Sequence, residues 1–150
     1  MTILDYIFQL FLSFCGTLAF GVLFQVPPRQ YVACGLTGAA GWVVYVYMMQ
    51  VQPSTVMASL VAVLPLTALA RLFATRRKAP ITLFLLCGIF PLVPGAGIYY
   101  TAYYFITGQT DLTITKGTET IKIAGALALG MVLVLGMPGK LFQPFRKRSS

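Results

Sequence analysis

Pro91-Leu92-Val93-Pro94-Gly95-Ala96-Gly97 lies near the middle of an apolar, charge-free stretch running from about residue 79 to residue 108. A membrane helix passing through it meets Pro94, which lacks a backbone N–H and whose ring clashes with the preceding turn, and then two glycines that relax the backbone. The segment therefore reads as one span broken into two half-helices inside the bilayer. The second half begins at membrane depth, with unpaired N–H groups and the positive end of its dipole facing the gap. In hydrocarbon such groups persist only where protein buries them or a wet cavity receives them. Interrupted helices of this kind build the binding sites of many secondary transporters, so the break points toward transport.

The rest of the chain is consistent with a bilayer setting. Of its 150 residues 58% are hydrophobic and 9% charged, and the mean hydropathy is +0.83, far more apolar than a soluble domain. A spanning helix needs roughly 20 mostly apolar residues. Candidate spans cover about residues 6–26, 31–50, 54–73, 81–106 and 118–137. The uncharged run over residues 30–70 would reach about 60 Å as a single helix at ~1.5 Å per residue, twice the hydrocarbon thickness. It must hold two spans, turning at Val51-Gln52-Pro53-Ser54. The predicted fold is all-α: a polytopic membrane protein of five transmembrane helices, the fourth interrupted at residues 91–97, forming one integral membrane domain over residues 1–150.

The net charge of +8 is mainly a topology signal. With this span order Arg29, Arg71, Arg76, Arg77, Lys78, Lys140, Arg146, Lys147 and Arg148 share one side, and Lys116 and Lys122 lie toward the other. The heavily basic side is the cytoplasmic one, which puts the N-terminus, with Asp5, outside and the C-terminus inside. The basic clusters at residues 76–78 and 146–148 suit anionic lipid headgroups. A nucleic-acid role is disfavoured, because no soluble module carries a basic face with base-stacking aromatics. The first apolar stretch has no basic leader and no Ala-x-Ala-like site, so it reads as a retained helix and not a signal peptide.

Along the helices, Val26-Pro27-Pro28-Arg29 stops the first span. Gly35, Gly38 and Gly41 give the second a smooth strip for close helix packing, and Trp42 needs an acceptor for its indole N–H or a polar cavity to face. Ser54 or Thr55 caps the third span, whose interior Pro65 frees the carbonyl near Val61. That carbonyl, Ser59 and Thr67 are candidates for lining a polar route, while a plain proline kink is the simpler reading. Arg71 reads as a snorkelling anchor. The aromatics after the break form an interfacial belt, with Tyr99 and Tyr100 close enough to the break for a hydroxyl to reach the gap. Residues 107–117 read as an external loop, and Glu119 with Lys122 as an exposed helical ion pair, the sharper alternative being a coupled carboxylate. Cys15, Cys34 and Cys87 fall in different spans and read as small core residues. With no His and no carboxylate cluster, no metal site and no cofactor is expected, and no nucleophile–base set suggests an enzyme.

Several segments together resemble the threonine/serine exporter family, specifically its short membrane component, which corresponds to the C-terminal half of the fused exporters. They are Phe24-Gln25-Val26-Pro27-Pro28-Arg29, the glycines through Gly41, Ser54-Thr55-Val56-Met57-Ala58-Ser59, Ala70-Arg71 with Ala79-Pro80, and above all Pro91-Leu92-Val93-Pro94-Gly95. The resemblance implies a cytoplasmic-membrane exporter of small polar metabolites, associated with threonine and serine and, in related two-component systems, with dicarboxylates such as succinate. It also implies a larger partner subunit resembling the N-terminal half of the fused proteins; self-assembly into a homo-oligomer is the alternative.

The expected site follows from the break. A solute carboxylate docks at the N–H groups of Gly95, Ala96 and Gly97 behind Pro94, with Tyr99 or Tyr100 nearby. That anchor does not distinguish serine and threonine from succinate, so the ammonium or second carboxylate is read elsewhere. The competing reading is a non-transporting accessory subunit in which the break is a packing hinge.

Overall fold

The computed structural model describes residues 3–138. Six α-helices follow one another: α1 Ile3–Leu23, α2 Tyr31–Val51, α3 Thr55–Arg77, α4 Ile81–Ile89, α5 Gly95–Ile106 and α6 Thr110–Leu135. Short 3-10 turns at Pro28–Gln30 and Phe90–Leu92 precede α2 and follow α4. α1, α2, α3 and α6 are each long and apolar enough to cross a membrane, and the α4–α5 pair, bent by 54°, makes a fifth span when taken together. The chain is a multi-pass, all-α membrane protein of four to five candidate spans, with the break between α4 and α5 where the proline and glycines stand.

Local chemistry sets the helix ends. α1 ends with Gln25 at φ 54°, Val26 N–H reaching Gly21 C=O at 3.0 Å and Gln25 N–H reaching Val22 C=O at 3.0 Å. α5 ends the same way, with Gly108 at φ 74°, Gln109 N–H bonded to Tyr104 C=O at 2.9 Å and Gly108 N–H to Phe105 C=O at 3.2 Å. These paired bonds satisfy the orphan carbonyls of each last turn and reverse the chain sharply. Ser54 caps α3, its hydroxyl accepting from Met57 N–H at 3.5 Å.

Because Gly108 turns the chain so tightly, residues 107–117 are not the expected loop. α6 starts at Thr110, before the expected boundary at residue 118, and at 26 residues is about 39 Å long. The threonines that read as loop residues are helical, Thr113 and Thr115 folding their hydroxyls back on Gln109 and Asp111 carbonyls four residues earlier, as Thr118 and Thr120 of the expected span do on Ile114 and Lys116.

α2 packs against α1, α3 and α4, while α3 also meets α6. The glycine strip serves this packing: a Cβ on Gly35 would strike the Phe14 ring, one on Gly38 the Thr17 side chain, and one on Gly41 Leu66 at 2.8 Å. The interior threonines satisfy their hydroxyls within their own helices, Thr17 on Ser13 C=O and Thr37 on Ala33 C=O, both at 2.7 Å. Thr67 does likewise on Val63 C=O at 2.8 Å and is fully buried, so it packs and lines no polar route. Cys34 and Cys87 belong to a buried cluster with Phe84 and Ala70, whereas Cys15, expected in the core, faces outward from α1.

The charge segregation is visible in the contacts. At one end Arg77 Nη1 donates to Arg29 C=O at 2.6 Å, and Arg71 Nη1 donates to Val134 C=O at 2.8 Å, so Arg71 caps the last turn of α6 as well as marking that end. At the other end Tyr6 donates to Gln50 Oε1 at 2.9 Å, close to the start of α3. Lys140, Arg146, Lys147 and Arg148 lie outside the described residues.

Two glycines give opposite expectations. Gly38→Val drives a branched side chain into Thr17 and should cost about 1–3 kcal/mol, the usual penalty of overpacking. Gly125→Ala meets nothing within 4 Å and should raise helix stability by roughly 0.5–1 kcal/mol. Thermal unfolding of the two variants in the same detergent should shift the midpoint in opposite directions.

Candidate functional site at the broken span

The break is built from three backbone events. Val93 N–H closes the 3-10 turn on Ile89 and Phe90 carbonyls, each at 3.2 Å. Pro94, at φ −76° and ψ 57°, then forms an inverse γ-turn closed by Gly95 N–H to Val93 C=O at 2.7 Å. The first helical bond of α5 runs from Ile98 N–H to Pro94 C=O at 3.0 Å, leaving Ala96 and Gly97 N–H without helical acceptors. Of the three donors expected from the sequence, Gly95 is therefore already engaged by the γ-turn.

A cavity of about 400 Å³ opens beside this break. All seven residues of the 91–97 stretch contribute to its wall, so the site residues Pro94, Gly95, Ala96 and Gly97 are brought together there. Tyr100 joins them. Tyr99, 63% exposed, does not line the cavity; it meets Tyr100 edge-on at 5.4 Å and stacks along α5 on Tyr103 at 6.4 Å. The two glycines play different parts. A Cβ on Gly95 would meet nothing within 4 Å, while one on Gly97 would collide with Thr120 of α6. Gly97 thus lets α5 lie close against α6, and Gly95 leaves space open.

The other walls hold residues that the sequence alone did not assemble. α2 supplies Trp42 and Tyr45, α3 Thr55 and Ser59, and α6 Lys116, Glu119 and Thr120. Trp42 has its acceptor, donating to Gln9 Oε1 of α1 at 2.8 Å, and stacks on Tyr45 at 5.4 Å. Glu119 accepts from Thr55 Oγ1 at 3.0 Å and pairs with Lys116 Nζ at 3.1 Å. Its partner is therefore Lys116 and not the expected Lys122, because the earlier start of α6 places Lys116 on the same helix one turn before it. The visible clue was Glu119 standing three residues from a lysine on either side.

The site thus combines two backbone donors at a helix N-terminus, an ammonium, a carboxylate and several hydroxyls around one space. It suits a small solute with a carboxylate and a second polar group, held by charge and hydrogen bonding.

Residues 9–137 match the family described as Threonine/Serine exporter, ThrE. A protein named threonine/serine exporter from Corynebacterium glutamicum is 30% identical over 128 residues, which are 85% of this chain and 26% of that protein. Another, named probable threonine/serine exporter, from Mycobacterium tuberculosis, is 31% identical over 111 residues, 73% of this chain and 21% of that protein. The matched regions span about a quarter of the length of these curated relatives. No solved structure matches the chain.

The Trp42 wall supplies its own check. Gln9→Leu removes the acceptor at 2.8 Å and should destabilise the fold by about 1–3 kcal/mol through an unsatisfied donor in a low-dielectric setting. Gln9→Leu combined with Trp42→Phe, which removes the stranded donor as well, should recover part of that loss in a thermal unfolding measurement.

Proposed function

The chain belongs to the threonine/serine exporter family, and from that premise we propose that it is the membrane subunit of a two-component exporter of small carboxylate metabolites. The solutes are of the threonine/serine class, with dicarboxylates such as succinate as the second class. A larger partner subunit closes the cavity. The complex sits in the cytoplasmic membrane with the N-terminus of this chain outside and its C-terminus inside, as the basic end containing Arg29, Arg71 and Arg77 supports.

The observation that carries the reading is the cavity at the break, where the N-terminus of α5 meets Lys116 and Glu119. The solute carboxylate docks at Ala96 and Gly97 N–H, with Lys116 and the Tyr100 hydroxyl within the same wall. Glu119 is the carboxylate that holds Lys116 before the solute arrives, and the ammonium or second carboxylate of the solute is read elsewhere in the complex. Rocking of one bundle against the other about this site gives alternating access. Transport is favoured over catalysis because the chain has no His and the carboxylate in the cavity pairs with a lysine and a threonine, not with a nucleophile.

Gly95→Val tests the site without disturbing helix packing, since a side chain there enters open space and the glycine has no positive φ to lose. In a purified, folded complex we expect solute flux to fall roughly tenfold or more, a loss of about 1.4 kcal/mol of stabilisation. Undiminished flux would reject the anchor. If the partner alone exports at the full rate, this chain is instead a non-transporting accessory subunit and the break a packing hinge.

A further inference from the structure

Glu119 stands between two spaces. Beside the cavity at the break lies a second of about 610 Å³, whose wall includes Ser54, Thr115, Thr118 and Lys122. Thr55 and Glu119 line both. Their hydrogen bond, 3.0 Å long, ties the start of α3 to α6 and forms part of the partition. Lys116 belongs to the first cavity and Lys122 to the second. Each is three residues from Glu119, a spacing at which helical side chains are neighbours.

We propose that Glu119 is a two-position gate between these cavities, and that the second cavity is the next station for the solute after the site at the break. The proposal rests on the reading of the first cavity as a solute site. In the observed position Thr55 and Lys116 hold the carboxylate between the two spaces. A solute carboxylate arriving in the first cavity takes the Lys116 ammonium for itself. Glu119 then lacks its cation, and the nearest one at equal helical spacing is Lys122 on the far side. Turning toward it breaks the bond to Thr55, removes the carboxylate from the partition and joins the two spaces.

Three physical points favour this device. The Lys116–Glu119 pair is 43% and 39% exposed, so it is of the weak kind that a competing ion can exchange. Moving between two lysines at equal helical spacing keeps the carboxylate paired at either end of the motion. The switch is driven by solute, because a ligand shifts such an equilibrium only through unequal affinity for its two states, and Lys116 is free for the solute only in the second.

The test uses the full chain in lipid nanodiscs with isotope-labelled dimethyl-lysines, which keep their charge, and reads the Lys116 and Lys122 methyl signals by NMR, assigned from K116R and K122R. Saturating L-threonine, with its binding measured in parallel by equilibrium dialysis, is expected to move the Lys122 signal toward the ion-paired position and to change the environment of Lys116. E119Q should abolish the Lys122 shift. T55V, which removes the donor holding Glu119 on the Lys116 side, should move Lys122 part of the way with no solute present. Bound threonine with a still Lys122 signal, or T55V indistinguishable from the parent without solute, would overturn the gate. Failure of L-threonine and succinate alike to bind, while T55V still shifts Lys122, would instead leave the two-position carboxylate standing and remove the solute reading beneath it.

Discussion

Everything in this chain depends on how backbone hydrogen bonds are accounted for where a helix is interrupted within an apolar setting. A continuous helix satisfies its own N–H and C=O groups; a broken one must find substitutes or a polar space. Here the 3-10 turn over Phe90–Leu92 and the γ-turn at Pro94 engage the Val93 and Gly95 N–H groups, and the Ala96 and Gly97 donors open beside a cavity carrying both charge signs. The bend of 54° is the geometric result of that accounting. It also separates the packing of the two halves: α4 lies against α2 and α3, while α5 lies against α6.

Much of this was legible in the sequence because it is written in residues with singular backbone behaviour. Pro94 and its glycines marked the break, Pro53-Ser54 the start of α3, and the Gly35-Gly38-Gly41 strip a close helix contact. The start of α6 was not legible. Threonine suits loops by propensity, yet in an apolar setting its hydroxyl can bond a carbonyl one turn back and let the helix continue. That single misreading hid the site's charged wall, since Lys116 becomes a neighbour of Glu119 only when both are helical. The choice between Tyr99 and Tyr100 was hidden for a different reason: the rotational phase of α5 is set by the γ-turn dihedrals, which composition does not reveal.

Among the described residues, tertiary hydrogen bonds from side chains near helix ends or cavity walls include Tyr6 to Gln50, Trp42 to Gln9, Thr55 to Glu119, Arg77 to Arg29 and Arg71 to the last turn of α6. Between them the helices meet through small residues and apolar clusters, where a threonine hydroxyl turns inward to its own helix. Packing is therefore carried by shape, and position along the helix axes by these polar ties. Such a division suits a membrane protein, where apolar contact between helices has lipid as an equal competitor and fit has to be won by close approach.

Trp42 carries one more consequence. It is the chain's only tryptophan, and its ring forms part of the cavity wall at the break. Indole emission responds to local polarity and to nearby quenchers, so the molecule holds an intrinsic optical probe in the wall of this cavity, with no competing fluorophore of its kind elsewhere to obscure the signal.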